Sequence, residues 1–239
     1  MRAATFYSGI VILARVLWYP SVASAQYVAA QHKSYEVIYD YTKNAPAAVL
    51  YVLQESDFRG SLSTKPKHFK MDVLLPPPRV RNSVYKFSGY ERGHLCPAGD
   101  RDSRKDWFND TYVTSNILPM TSMVNGGGWK DLELLCRRWA VSGHPQIIAC
   151  GGVWPHFPDS TKWMGMVAVP DSLWKISVCL IHPNEVHCWK IPNIVRPYKI
   201  QPDQVSFSDI ARGLEEVLQK YIESWIKRKS PEAYETITH

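Results

Sequence analysis

Among the 239 residues, the segment Gly89-Tyr90-Glu91-Arg92-Gly93-His94-Leu95-Cys96-Pro97-Ala98-Gly99-Asp100 concentrates a guanidinium, an imidazole and carboxylates between glycines. Read as a strand, its alternation puts Arg92 and His94 on one face, and Gly93 leaves room for a ligand or another backbone to approach. A cation beside a potential base suits phosphate chemistry. The imidazole can take a proton from water near neutral pH, and a fixed guanidinium can stabilise charge on phosphoryl oxygens. Arg-Gly-His alone more often marks a hydrogen-bonded structural histidine, so its neighbours must decide.

Downstream lie Thr111-Tyr112-Val113-Thr114-Ser115-Asn116-Ile117-Leu118-Pro119-Met120 and Asn125-Gly126-Gly127-Gly128-Trp129-Lys130-Asp131-Leu132-Glu133, followed by Arg137. In this order, Arg-Gly-His-Leu, Ser-Asn-Ile and Asn-(x)3-Trp-(x)3-Glu resemble the DNA/RNA non-specific endonucleases of the ββα-metal (His-Me finger) class, which includes secreted bacterial nucleases and mitochondrial endonuclease G. The resemblance covers about residues 35–195, and its diagnostic part is 89–137. It implies an α+β fold with a central antiparallel sheet flanked by helices, and Mg2+-dependent hydrolysis of DNA and RNA leaving 5′-phosphate and 3′-hydroxyl ends.

By position, the resemblance makes His94 the general base, Arg92 the phosphate-stabilising arginine and Asn125 the lone side chain that ligates magnesium, with Mn2+ as a substitute. It makes Asn116 an asparagine that orients the site, and Glu133 and Arg137 helix residues flanking metal and phosphate. Catalytic roles thus fall to His94, Arg92, Asn116, Glu133 and Arg137, with Arg92 and Arg137 also binding substrate. Helix geometry independently supports the last group. At about 100° per residue, Glu133 lies about 80° and Arg137 about 120° around the axis from Asn125. One neutral oxygen ligand suits magnesium, which prefers oxygen donors and keeps most of its waters. Two departures stand out: Glu91 occupies the position where the family usually has Asp, and Met120 occupies that of its Gln. The alternatives left open are a catalytically impaired nucleic-acid-binding module and a phosphodiesterase acting on small or terminal esters.

The elements that must position these residues are legible in part. Tyr35–Tyr41 and Ala47–Leu53 read as an antiparallel pair across Asn44-Ala45-Pro46. Further strands are expected at Thr111–Ser115, Gln146–Cys150, Met164–Val169 and Leu173–Ile181. Trp129, Leu132, Leu135, Cys136 and Trp139 recur at helical spacing from Gly128 to Val141, with Asn125 just ahead. A second, continuous packing helix is expected from about Ser208 to Lys229. Residues 55–89, with Pro66 and Pro76-Pro77-Pro78, read as a long surface loop in which Arg79 and Arg81 are solvated or touch phosphate. Arg101, Arg104 and Lys105 carry the same ambiguity.

Five cysteines are too few for a disulfide scaffold, and His94, Cys96, Cys136, His187 and Cys188 lack the paired spacing of a zinc site. A two-residue hairpin at Pro183-Asn184 would oppose Cys179 and Cys188 closely enough for a disulfide. Cys96 and Cys136 are a second candidate pair, leaving Cys150 free. Asn109-Asp110-Thr111 fits a glycosylation acceptor that matters only on a eukaryotic secretory route.

Hydrophobic residues make up 45% of the chain and charged ones 21%, which excludes a disordered tail and fits one substantial domain over 26–239. Residues 1–25 read as a targeting segment: Arg2, an apolar stretch from Ile10 to Val22, then Ala23-Ser24-Ala25. A cleaved signal to the periplasm or outside is the reading taken, with a retained membrane anchor and a mitochondrial presequence as alternatives. The leader holds two Arg and no acid, so the charge of +6 becomes +4 without it. That remainder only helps an anionic partner arrive.

Overall fold

The computed structural model describes residues 10–13, 26–60, 62, 68–155, 158–195 and 202–238. Eight strands form one antiparallel sheet: β1 (Ile10–Leu13), β2 (Tyr27–Gln31), β3 (Glu36–Asp40), β4 (Ala45–Leu53), β7 (Gln146–Val153), β10 (Ser172–Cys179), β11 (Val186–Pro192) and β12 (Asp203–Val205), in that spatial order. Two short pairs stand apart from it: β5 (Glu91–His94) with β6 (Ile117–Met120), and β8 (Lys162–Met164) with β9 (Val167–Val169). The helices are α1 (Lys105–Asp110), α2 (Trp129–Val141), α3 (Phe207–Ala211), α4 (Glu216–Lys229) and α5 (Pro231–Thr238). Apart from β1, the leader lies outside the described residues.

The central strands are apolar on both faces because both faces are covered. On β4, Ala48 and Leu50 join Ile147, Ala149, Trp174 and Ile176 against Ile210, Leu218, Ile222, Trp225 and Ile226 of α3 and α4. The alternate residues Val49, Tyr51 and Leu53 join Ile148 and Cys150 against Trp129, Leu132 and Cys136 of α2 and Leu118 of β6. A side-chain period of two thus sorts one strand into two cores. The sheet separates a packing-helix layer from the layer that carries the motif residues.

The expected pair β3 and β4 forms, turning through Asn44 at φ 48°. Other expectations are corrected. Thr111–Ser115 is not a strand: Val113 makes one isolated bridge to Lys70, and Thr114–Asn116 is a 3-10 turn leading into β6. Met164–Val169 splits into β8 and β9 around Gly165, whose φ of 59° suits glycine. The long C-terminal helix is broken after Ala211. A Ser206–Asp209 capping box starts α3, and the chain then turns through Gly213, where a Cβ would lie 3.1 Å from Val153.

The disulfides do not form; all five cysteines are buried free thiols. In the β10–β11 hairpin Cys188 opposes Ile176, while the Cys179 amide donates to the Glu185 carbonyl. The connection is longer than a two-residue turn and slips the register by three. An odd slip puts the two thiols on opposite faces of the sheet. Cys96 and Cys136 remain separate in the core, with the Cys136 thiol 3.8 Å from Ser177 Oγ.

Candidate active site

Strands β5 and β6 pair with Glu91 opposite Met120 and His94 opposite Ile117, and α2 follows, giving a ββα unit. Gly93 lets the buried Met120 pack closely, because a Cβ there would displace the Met120 thioether. Met120 is therefore a core residue beneath the strand and not the edge of a cleft. The position that departs from the family pattern is used for packing.

Arg92 and His94 share a face, as alternation predicts, and the Phe69 ring confirms it. Its centroid lies 5.2 Å from that of His94 and 5.8 Å from the Arg92 guanidinium carbon. Tyr112 meets His94 edge-on at 5.2 Å. Burial without an opposing charge pushes the His94 pKa down to about 4, which keeps the imidazole neutral across the physiological range. Its Nε2 is enclosed and has no hydrogen-bond partner among the described residues. Arg92 is aimed by Asn82, whose Oδ1 accepts from its Nε at 2.5 Å, and it lies 5.5 Å over the Tyr85 ring.

Asn116 does not line the cleft with its side chain. It is fully buried; its Oδ1 accepts from the Cys96 amide at 2.8 Å, and its Nδ2 donates to the carbonyls of Cys96 and Thr111. These bonds fix the backbone leaving His94. From the other side, Trp129 Nε1 donates to the His94 carbonyl at 3.0 Å, tying α2 to β5.

Asn125 sits in an irregular π-type turn, Val124–Gly128, which Gly127 interrupts with non-helical geometry. The helical-wheel angles drawn from Asn125 therefore do not apply, and it is separated from the regular register of Glu133 and Arg137. Its Nδ2 donates to Glu91 Oε2 at 2.7 Å. That bond commits the amide nitrogen and leaves Oδ1 as the atom that can meet a cation. No group of three or more His, Cys, Asp or Glu is placed to hold a metal among the described residues. What this turn offers is one neutral oxygen with a carboxylate beside it, a donor set that fits a hard, largely hydrated cation such as magnesium.

Glu133 and Arg137 form a separate cluster on α2. Arg137 Nε donates to Asp100 Oδ1 at 2.5 Å, and its guanidinium lies 3.8 Å from Glu133. Asp100 also accepts from the Tyr51 hydroxyl at 3.1 Å. Burial pushes the Glu133 carboxyl up to about 7, opposed by the charges of Lys175 and Arg137. Lys175 reaches this cluster from β10. It is 1% exposed, with its ammonium 4.3 Å from the Trp129 ring centroid.

Sequence reasoning missed Phe69, Asn82, Lys175 and the roles of Asp100 and Trp129. Asp100 and Trp129 lie inside the motif segments and were open to discovery as partners. The others come from a loop and from a distant strand, where neither spacing nor periodicity marks them. Arg101 is not a phosphate contact: it is buried, paired with Asp57 at 3.1 Å and bonded to the Val52 carbonyl. Arg79 is used by its own loop, donating to the Leu75 carbonyl at 2.5 Å.

The family described as DNA/RNA non-specific endonuclease matches residues 19–217 of this chain. The zebrafish (Danio rerio) protein named "Nuclease EXOG, mitochondrial" is 32% identical over 192 residues, covering 73% of this chain and 55% of that protein. A protein named "Nuclease" from Nostoc sp. is 32% identical over 151 residues, covering 62% of this chain and 53% of its own length. The chain thus spans about half the length of these curated relatives. Among solved structures, the crystal structure of the EndoG/EndoGI complex shares the fold with a TM-score of 0.64, at 24% identity and covering 77% of this chain and 82% of that one. The extent of the family match, together with the ββα unit, establishes that the chain belongs to the DNA/RNA non-specific endonuclease family.

Proposed function

We propose that the chain is a Mg2+-dependent, sugar-non-specific endonuclease that hydrolyses phosphodiester bonds in DNA and RNA, with Mn2+ able to substitute. The observation that carries this is the pair on β5: a desolvated, neutral His94 and a fixed Arg92 packed against the same Phe69 ring. Asn125 Oδ1 would hold the magnesium, which when bound supplies positive charge at the scissile phosphate.

The chain's own residues account for the rest. Enclosure of Nε2 leaves Nδ1 of His94 to meet a water and take its proton, so that hydroxide attacks phosphorus in line. Arg92, held by Asn82, stabilises charge on the phosphoryl oxygens, and Arg137, held by Asp100, positions the phosphate backbone. The P–O3′ bond breaks and the departing 3′ oxygen takes a proton from water, leaving 5′-phosphate and 3′-hydroxyl ends. Contacts confined to the backbone make cleavage tolerant of sequence and salt-sensitive.

Plasmid nicking with Mg2+ tests this reading. Cleavage that is lost in EDTA and falls at least a hundredfold in His94→Ala is expected. Unchanged cutting by that variant would remove His94 as base, and faster turnover of a small diester than of plasmid or RNA would replace the substrate class.

Residues 1–25 are proposed as a targeting segment and 26–239 as the nuclease domain, so that removal of the leader would take β1 off the edge of the sheet and leave β2 there. The small residues Ala23-Ser24-Ala25 support export, whereas the mitochondrial name of the zebrafish relative favours an organellar destination. Sequencing the mature N-terminus in each compartment separates the two, and an intact leader would oppose both.

A further inference from the structure

The turn between Tyr85 and Tyr90 carries an exposed aromatic side chain in an unusual conformation. Phe87 has φ 60°, in the left-handed region that bulky side chains rarely adopt, and it is 94% exposed. Strain of this kind persists only where the surroundings impose it, and it concentrates at sites of function. Here the surroundings are explicit. Ser88 Oγ donates to the Tyr85 carbonyl at 3.0 Å and accepts from the Tyr90 amide at 3.1 Å, and Gly89 follows at φ 81°. Folding gains almost nothing from the phenyl ring, because the ring stays in water. A glycine would suit the backbone better.

The turn is also the mount of Arg92. Asn82 accepts from the Arg92 Nε and Tyr85 lies under its guanidinium, so the strained tip belongs to the same short segment that aims this arginine. Lys86 adds a cation at the tip, with its ammonium 5.1 Å from the Phe87 ring centroid. An exposed aromatic face on a constrained backbone, beside a positive charge, is an arrangement on which unstacked bases of nucleic acid bind: the ring takes the base and the cation takes the flanking phosphate.

We propose that Phe87 is a base-stacking residue that holds a single-stranded or locally unstacked nucleotide of the substrate, with Lys86 on the adjoining phosphate. This rests on the nuclease reading of the site. It adds a contact that tolerates sequence, since every base has a π-face, and that favours substrates whose bases can leave the helix.

The test measures binding of fluorescein-labelled single-stranded DNA by anisotropy, using the full chain carrying His94→Ala to prevent cleavage. Phe87→Leu and Phe87→Gly should weaken binding by about five- to fiftyfold, while Phe87→Tyr should stay within about twofold of the parent. Phe87→Gly should at the same time raise Tm, because it relieves the left-handed conformation. Loss of affinity with gain of stability is the signature that misfolding cannot produce. Parental affinity retained in Phe87→Leu, or lost equally in Phe87→Tyr, would overturn the stacking role alone. A parent that binds neither DNA nor RNA would take the nuclease reading down with it.

Discussion

At the scale of single residues, the Glu91 departure has a definite geometric consequence. Its carboxylate accepts from Asn125 Nδ2, and this bond leaves Oδ1 as the end of the amide that would face the proposed cation. Partners that orient a metal ligand typically change affinity by about 10- to 100-fold when removed. Glu91→Ala should therefore weaken Mn2+ binding by about that factor, read by electron paramagnetic resonance of the free ion, and Asn125→Ala should weaken it further. Glu91→Asp should fall between wild type and Glu91→Ala, because the shorter arm retains charge and loses reach. Equal affinity in wild type and Glu91→Ala would show that the amide is oriented without it. The residues proposed for this site could be picked from the sequence because each belongs to a short motif with specific chemistry. Their partners could not: that Met120 fills the space a side chain at Gly93 would take, or that Asn116 bonds main chain only, depends on contacts between segments the spacing does not relate.

Among the elements, the site is assembled by α2 and the strand behind it. Trp129 links α2 to the His94 carbonyl, and Lys175 of β10 supports both the Trp129 ring and the charge balance around Glu133. Lys175→Met keeps the length of the side chain and removes its cation. The ionised form of Glu133 then loses a stabilising neighbour, so its titration should move above about 7, seen as an alkaline displacement of an inflection in the pH dependence of plasmid nicking that Glu133→Gln abolishes. An inflection that stays in place would assign Lys175 to packing alone. The sequence identified α2 because Trp129, Leu132 and Cys136 repeat at its period. It gave no sign of Lys175, since a lysine in a strand is ordinarily read as solvent-facing. The C-terminal stripe was read through Gly213 as one helix for a related reason: periodicity records which residues are apolar and is blind to a glycine that lets the chain turn against Val153.

For the whole molecule, a buried imidazole far in sequence from the motifs ties its parts together. His32, just past β2, is 4% exposed and lies between Asp72 of the long loop and Asp110 at the end of α1, at 3.0 and 3.3 Å. Asp72 also accepts from Ser115 at 2.5 Å, beside the asparagine that fixes the backbone after His94. Although burial opposes its charge, hydrogen bonds and Coulomb attraction from the two carboxylates raise the His32 pKa from its ordinary value of 6.5 to about 9. A histidine whose folded pKa is raised stabilises fully below 6.5 and loses that contribution as pH rises through about 9. Near neutrality two other shifts offset one another. His94, lowered to about 4, makes stability rise with pH between 4 and 6.5, while Glu133, raised to about 7, makes it fall between 4.5 and 7. Between about pH 7 and 8 His32 is left to dominate, and above that the buried thiols of Cys96 and Cys188, pushed up from 9 to about 12, add to the loss. Urea unfolding should show stability falling by roughly 1 kcal/mol per pH unit between about 7 and 8, a little under the value of about 1.4 for one whole proton. His32→Asn should lower stability at pH 7 by about 3 kcal/mol, because Asp72 and Asp110 lose their cation, and should flatten the slope over the same interval. A slope that survives the substitution would move the coupling to another group and leave the long loop held by packing.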